Sequence, residues 1–473
     1  MTTTTGPSSD FQRLHAEMTA QIEDKQLLDS ARAYAYDYMD QVSSMDAFPS
    51  PGSLSLLDRL SEPMPDGPGV PEEIIRALHE VGSPNTVAQT GGKYFGFVNG
   101  GVTPVALAAK WLSDVWDQNS ALYAMSPIAS KLEEICEQWI VELLGLPEGT
   151  AAGFVSGSST AIICGLAAAR NELLARLGWD VSEQGLFGAP RIRVVVGEQA
   201  HSSVWKALSM LGLGKGTAEL VPTDEQGRMR LDALPVLDDR TLLIIQAGNV
   251  NGGAFDPIND LCDAANAAHA WVHVDGAFGL WAAACDTTKH LVSGIEKADS
   301  WSADAHKTLN APYDCGIVLC KDRSCLVNAM QATGSYIQYS DNRDGMLYTP
   351  EMSRRARSVE LWATLKYFGK SGLDALVEQL CQMTRYFADG LKERGFIVDN
   401  DVVFNQIVMR CDTPEATTRL LDRIQSSGTC WCGGATWNGR PVIRISVCSW
   451  QTTTADIDQC LALFTELKAA LPY

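Results

Sequence analysis

The sequence predicts an α/β fold, a mostly parallel sheet with helices on both faces, followed by a smaller α+β unit. Short β-branched runs recur through the centre of the chain: RIRVVVG (191–197), TLLIIQAG (241–248), WVHVDG (271–276) and GIVLC (316–320). Helix-length segments separate them. Strands this apolar, spaced this way, are what a parallel sheet covered on both faces produces. From about Leu361 the pattern changes to helix, then FIVDNDVVFNQIVMR, a second helix, PVIRISVCSW and a last helix to about Leu467, which predicts the smaller unit.

Taken in order, residues 1–9 are low-complexity Thr, Ser, Gly and Pro, expected to be mobile unless docked. Between Asp10 and about Val42, Leu27, Leu28, Ala31, Ala35 and Met39 recur at helical spacing, which predicts one or two amphipathic helices. Pro and Gly crowd the stretch from Pro49 to Pro71, predicting an irregular connection. The expected divisions are therefore 1–90, an N-terminal helical segment; 91–360, the large domain; and 361–473, the small C-terminal domain.

The bulk numbers set limits on function. A chain of 473 residues, 46% hydrophobic and 20% charged, has the composition of a globular protein large enough to hold a cleft between domains. Its net charge of −20, with no Lys/Arg-rich run to reverse it locally, argues against nucleic acid and anionic lipid as partners. No window reaches about 18 uncharged apolar residues, so no membrane span is expected. The opening MTTTTGPSSD lacks a cationic flank followed by an apolar stretch, and the expected location is cytoplasmic. The thirteen cysteines are scattered and mostly sit in apolar runs. They read as buried thiols, and the CWC at 430–432 has no second ligand pair at zinc spacing, so no metal site is expected.

Two segments carry the chemistry. WVHVDGAFG ends an apolar run on Asp275, and SWSADAHKTLN sets Lys307 beside His306 on a small-residue loop. A carboxylate at the carboxyl end of a strand sits where open α/β sheets bind ligands, and there it holds a pyridine nitrogen protonated. A lysine crowded by small residues is partly desolvated, which favours the neutral amine that a Schiff base requires. Together they point to pyridoxal 5′-phosphate. Asp275 also reads as a helix N-cap, and Lys307 alone as a solvated lysine.

Gly157, Ser158, Ser159 and Thr160 stand immediately before an Ala-rich helix, where free N–H groups and hydroxyls receive phosphate or simply cap the helix. His201 opens another helix just after a strand, placed either to lie flat on an aromatic cofactor or to cap. AGNVNGGAFDPI (247–258) is a Gly/Asn-rich turn that lets backbone approach a ligand closely.

In this order, SGSST, EQAHSS, GNVNGGAFD, HVDGAFG and SADAHK resemble the group II pyridoxal phosphate-dependent amino acid decarboxylases, over roughly residues 10–470. The resemblance implies a fold-type I architecture: a seven-stranded, mostly parallel sheet, a small C-terminal domain, and an N-terminal helical segment packed across a homodimer with active sites at the interface. It implies that Lys307 is the Schiff-base lysine, Asp275 the partner of the ring nitrogen, His201 the ring-stacking histidine and Ala277 the small residue against the ring. It further implies that His306 precedes the lysine as in relatives, and that Ser158, Ser159 and Thr160 receive the phosphate.

The chain departs from that pattern in places. Many relatives have Asn-Pro before His-Lys; here Asp304 and Ala305 stand instead, which also resembles the sphingosine-phosphate lyase branch. Asn249 and Asn251 replace a Thr-rich turn, and Asn251 is taken as a cofactor-binding residue. The family's loop tyrosine, a proton donor to Cα, has no unambiguous match in SYIQYSDNRDGMLYTPEM; Tyr348 is the best candidate, with Tyr336 and Tyr339 behind it. KYFGFVNGG (93–101) and VWDQNSALYAMSP (115–127) resemble segments lining the substrate pocket and nominate Phe97, Asn99, Trp116, Asn119 and Tyr123. The expected activity is decarboxylation of an L-amino acid to its amine and carbon dioxide. The alternatives are a carbon–carbon lyase and an aldehyde-forming oxidative decarboxylase on the same fold.

Overall fold

The structure, a computed structural model, describes residues 9–332 and 339–471. Seven strands form the large sheet: β1 (Ala151–Val155), β2 (Arg193–Gly197), β3 (Glu219–Val221), β4 (Thr241–Gln246), β5 (Trp271–Asp275), β6 (Ser300–Asp304) and β7 (Gly316–Cys320). Their order is β1-β7-β6-β5-β4-β2-β3, and β7 alone runs antiparallel to its neighbours. The four strands expected from their β-branched runs are all present. SWSAD, read as part of a loop, is instead strand β6: Trp301 and Ala303 are fully buried, and Ser300 and Ser302 meet polar partners inside the sheet rather than water.

Burial on both faces explains the apolar runs. Val194, Val196, Leu242 and Ile244 pack into one core, whereas Val195, Leu243, Ile245, Val272 and Val274 pack into the other. Each such side chain contributes roughly 1.5–3 kcal/mol, so the faces of the sheet, rather than its loops, hold the fold. The helix Ser158–Arg176 lies across one face, brought close by Gly165: a Cβ there would sit 2.6 Å from the buried His273 ring. That close approach aims the helix N-terminus at the carboxyl ends of the strands.

The second sheet has four antiparallel strands, β8 (Ile397–Val398), β9 (Gln406–Arg410), β10 (Gly433–Trp437) and β11 (Arg440–Ser446), in the order β10-β11-β9-β8. Phe387, Leu420, Ile424, Ile457 and Phe464 from three helices pack with Ile407, Met409, Ile443 and Ile445 to form its core. Phe95 joins that core, and its N–H and carbonyl bond to Trp431 and Ser446. The segment Ser358–Glu393 passes position 361 as helix and changes direction only at Gly369, whose φ of 56° breaks the helical backbone. The helix thus runs across the division expected at 361.

Two N-terminal helices, Ser9–Asp24 and Gln26–Gln41, precede short helical turns at Pro51–Leu54 and Ser55–Leu60. The Pro-rich connection is therefore not wholly irregular: Ser50 accepts the Ser53 N–H and Pro51 occupies the first helical turn, where its missing N–H costs nothing. No residue of Gln26–Gln41 is buried. No helix of the described residues is long and apolar enough to cross a membrane. All thirteen cysteines are buried free thiols.

Candidate active site

The cleft is built where strand ends converge. In register, Gly316 at the start of β7 lies opposite both Val155 of β1 and Asp304 of β6, so the carboxyl ends of β1 and β6 flank it. A Cβ on Gly316 would strike the Gly157 backbone; this tight contact brings the Ser158 helix terminus against Asp304. The Ser158 N–H donates to Asp304 Oδ1 at 2.5 Å.

Lys307 follows one turn later, its Nζ 2.9 Å from Asp304 Oδ2 and its side chain mostly buried. His306 Nδ1 accepts the Cys315 N–H at 3.2 Å, so the proton resides on Nε2, which lies 3.7 Å from the same Asp304 oxygen. Burial holds His306 below the usual histidine range, with Asp304 pulling the other way. Tyr313 stacks on the His306 ring with centroids 4.2 Å apart and donates its hydroxyl to Asn99 Oδ1 at 3.1 Å. A Cβ at Gly100 would strike the Lys307 carbonyl, so the 97–101 loop packs directly on the lysine. Phe97 and Val98 in this loop take left-handed φ values of 53° and 61°, strain of the kind found at ligand sites.

Asp275 ends β5 and is 5% exposed. Its Oδ1 accepts weakly from Ala277 N–H at 3.3 Å and Ser302 Oγ at 3.5 Å, and no ion pair engages its carboxylate among the described residues. Burial pushes its carboxyl above the usual range, opposed by the nearby His201 and Lys307. A buried carboxylate this poorly satisfied calls for a cationic N–H partner. His201 Nδ1 accepts from Ser203 N–H at 3.3 Å and meets Ser203 Oγ at 2.6 Å, so the capping reading describes one edge of the ring. Burial depresses its titration, and Asp275, Lys307 and Asp304 all act on it electrostatically. Ala277 ties the two acids together: its N–H reaches Asp275 and its carbonyl accepts the Asp304 N–H at 2.8 Å.

The structure therefore brings together Lys307, His306, Asp304, Ser158, Gly157, Asp275, Ala277, His201 and Asn99. The N–H groups of Ser159 and Thr160 have no partner among the described residues, as a phosphate cradle requires. Asn251 donates its N–H to Asn249 Oδ1 at 2.9 Å within a turn; the fully buried Asn249, not Asn251, organises that loop.

The other substrate candidates have different partners. Asn119 bonds Ser353 Oγ and the Arg354 N–H, and the Tyr123 N–H reaches Asp344 at 2.7 Å, so this stretch clasps residues 344–355. Trp116 is 44% exposed, and Phe97, at 63%, stacks on Trp431. Tyr348 is engaged elsewhere. It is buried beside β1, its hydroxyl accepts from Arg323 at 2.8 Å, and Arg343 lies over its ring at 4.2 Å. Arg343 in turn pairs with Glu133 and Glu137, so Tyr348 belongs to a buried charge cluster and none of its contacts reaches Lys307. Tyr336 lies outside the described residues, and the Tyr339 hydroxyl donates to the Ala332 carbonyl.

Arg444 of β11 escaped the sequence reading. It is partly buried, its side chain has no ion pair or hydrogen bond among the described residues, and burial draws its guanidinium below the usual range. It acts on His201 and on Tyr94, whose hydroxyl burial pushes up to about 12. Nothing in PVIRISV distinguishes this arginine from one on a solvated strand face.

Comparison with known proteins agrees with this geometry. The family model described as the pyridoxal-dependent decarboxylase conserved domain matches residues 55–411. Tryptophan decarboxylase 1 of Oryza sativa subsp. japonica is 25% identical over 93% of this chain and 92% of its own length. An aromatic-L-amino-acid decarboxylase of Bacillus atrophaeus is 27% identical over 92% of this chain and 94% of its own. The crystal structure of mouse CSAD superposes with a TM-score of 0.86 at 23% identity, covering 95% of this chain and 99% of that one.

Proposed function

The chain belongs to the pyridoxal-dependent decarboxylase family, and from that premise we propose how its own residues work. It is a pyridoxal phosphate-dependent carboxy-lyase that acts on an amino acid. When bound, the coenzyme supplies an electron-accepting cationic ring next to the substrate's α-carbon. The residues present fit it: two open N–H groups at the Ser158 helix for the phosphate, the under-satisfied Asp275 for the ring nitrogen, His201 beside the ring and Lys307 as the amine that holds it. The single observation that carries the reading is Asp275, a buried carboxylate at a strand end near Lys307 that has no ion pair among the described residues.

Asp275 keeps the ring cationic, and its low-dielectric surroundings strengthen that effect. Lys307 would supply the amine that holds the coenzyme and exchanges with the substrate amine. Arg444, a cation without a partner, draws the substrate carboxylate into the cleft. The aromatic faces of Phe97, Tyr94 and Trp431, stacked at 5.2–5.3 Å, support an aromatic substrate side chain. The relatives named for tryptophan and aromatic amino acids support that substrate class.

A homodimer belongs to the proposal. Phe11, Met18, Ile22, Leu28, Tyr36 and Met39 are exposed on the two N-terminal helices, and an apolar groove of about 680 Å³ runs beside the second. A cytoplasmic location suits thirteen unpaired thiols. A screen of L-amino acids with the purified, coenzyme-loaded enzyme tests the activity: one aromatic amino acid yields carbon dioxide and the matching amine in equal amounts. Carbon dioxide with aldehyde and peroxide in place of amine supports the second reading, oxidative decarboxylation.

A further inference from the structure

Asp304 sits where a second anion is to bind. Its Oδ1 takes the Ser158 N–H at 2.5 Å, and its Oδ2 lies 2.9 Å from Lys307 Nζ and 3.7 Å from His306 Nε2. The side chain is 1% exposed. Asp304 thus caps the helix whose next two N–H groups, from Ser159 and Thr160, are open.

The titratable groups around it are few. Lys307 and His306 come from its own loop; Tyr313, from the segment before β7, stacks on His306; Asp275 from β5 and His201 from its helix sense its charge. Burial disfavours the charged form of both histidines, which leaves Lys307 as the cation in contact with Asp304. A phosphate ester is a dianion above its second pKa of about 6. Seated on the Ser159 and Thr160 N–H groups, it meets a buried carboxylate. Among the described residues the cation in contact with Asp304 is Lys307 Nζ, the nitrogen that the coenzyme itself engages. Like charges in a water-poor site favour retention of a proton.

We propose that Asp304 makes coenzyme docking proton-coupled: the phosphate enters with one proton from solvent, which it shares with the Asp304 carboxyl. No covalent bond breaks in this step. The coenzyme therefore binds more tightly as pH falls from 8 towards 6. Asn at this position keeps an acceptor for the Ser158 N–H, adds a donor for the phosphate and removes the competing charge. The inference rests on reading the cleft as a pyridoxal phosphate site.

Calorimetric titration of the full-length, coenzyme-free protein with pyridoxine 5′-phosphate tests it. This probe has the ring and the phosphate but no aldehyde, so Lys307 forms no bond to it. Titrations at pH 8 in buffers of different ionisation enthalpy count the protons taken up. Wild type takes up about one proton more than Asp304→Asn or Asp304→Ser, since both substitutes still cap the helix. Asp304→Asn binds the probe about fifty- to a hundredfold more tightly than wild type at pH 8, and the two converge near pH 6. Proton uptake by the ring is common to all three proteins and cancels. Equal proton counts in wild type and both variants overturn the proposal by placing the proton elsewhere, on His306 for example. If the protein instead develops no visible absorbance with pyridoxal phosphate and does not bind the probe, the coenzyme reading itself fails.

Discussion

Asp275 closes β5 and Asp304 closes the adjacent β6; both are at most 5% exposed, yet only Asp304 has a cation in contact, the Lys307 ammonium at 2.9 Å. Asp304 also accepts a short backbone N–H bond, whereas Asp275 is left with two long ones. One strand apart, Asp304 is satisfied by its own chain and Asp275 awaits a partner. Burial alone therefore does not distinguish a carboxylate already paired within the chain from one still open to a partner. The state of its hydrogen bonds does.

The largest effect expected is that of Lys307→Ala, which removes the cation from Asp304 and the amine from the coenzyme. Turnover falls by at least about a thousandfold, and the absorbance of the bound coenzyme disappears. Unchanged turnover would detach Lys307 from the chemistry.

Asp275→Asn comes next and sharpens the contrast. It lowers kcat by about a hundred- to a thousandfold while coenzyme remains bound. The same change acts on stability in the opposite direction. Because burial raises the Asp275 carboxyl in the folded state, its contribution to folding is greatest at low pH and is lost as pH rises through the raised value. Coenzyme-free Asp275→Asn accordingly melts higher than coenzyme-free wild type at pH 8, by about 2 °C, and the gap closes as pH falls towards about 4. A wild-type protein that is the more stable of the pair at pH 8 would show that Asp275 already has a cation.

Arg444→Gln asks whether a cation without a partner mirrors the acid without one. KM rises about tenfold to a hundredfold, the loss of one charge-assisted hydrogen bond, with a smaller change in kcat; steady-state kinetics separate the two. The smallest effect belongs to Tyr348→Phe. Its hydroxyl serves Arg323, so kcat changes by less than about threefold while the melting temperature drops slightly. A large fall in kcat with aldehyde among the products would restore Tyr348 as a proton donor.

Much of this architecture is legible in the sequence because burial on both faces writes strands as unbroken apolar runs, as in β2, β4, β5 and β7. β6 was hidden by its serines, which are polar residues satisfied inside the sheet, and β1 by the small residues AAG. In the cleft, Lys307, Asp275, His201 and Ser158 stand in local motifs whose spacing follows from strand-to-loop geometry. Arg444 does not: it owes its role to the absence of a contact across the fold, and no neighbour in sequence signals it. Tyr348 shows the converse, a residue nominated by its position in a loop whose partners in the structure are Arg323 and Arg343.

The most direct test of the account is to load the protein with pyridoxal phosphate, reduce it with borohydride and map the label by peptide mass spectrometry. The account predicts one pyridoxyl group per chain, on the peptide containing Lys307, and none in Lys307→Ala. A label on another lysine, or no label on a protein that still turns over substrate, would contradict it.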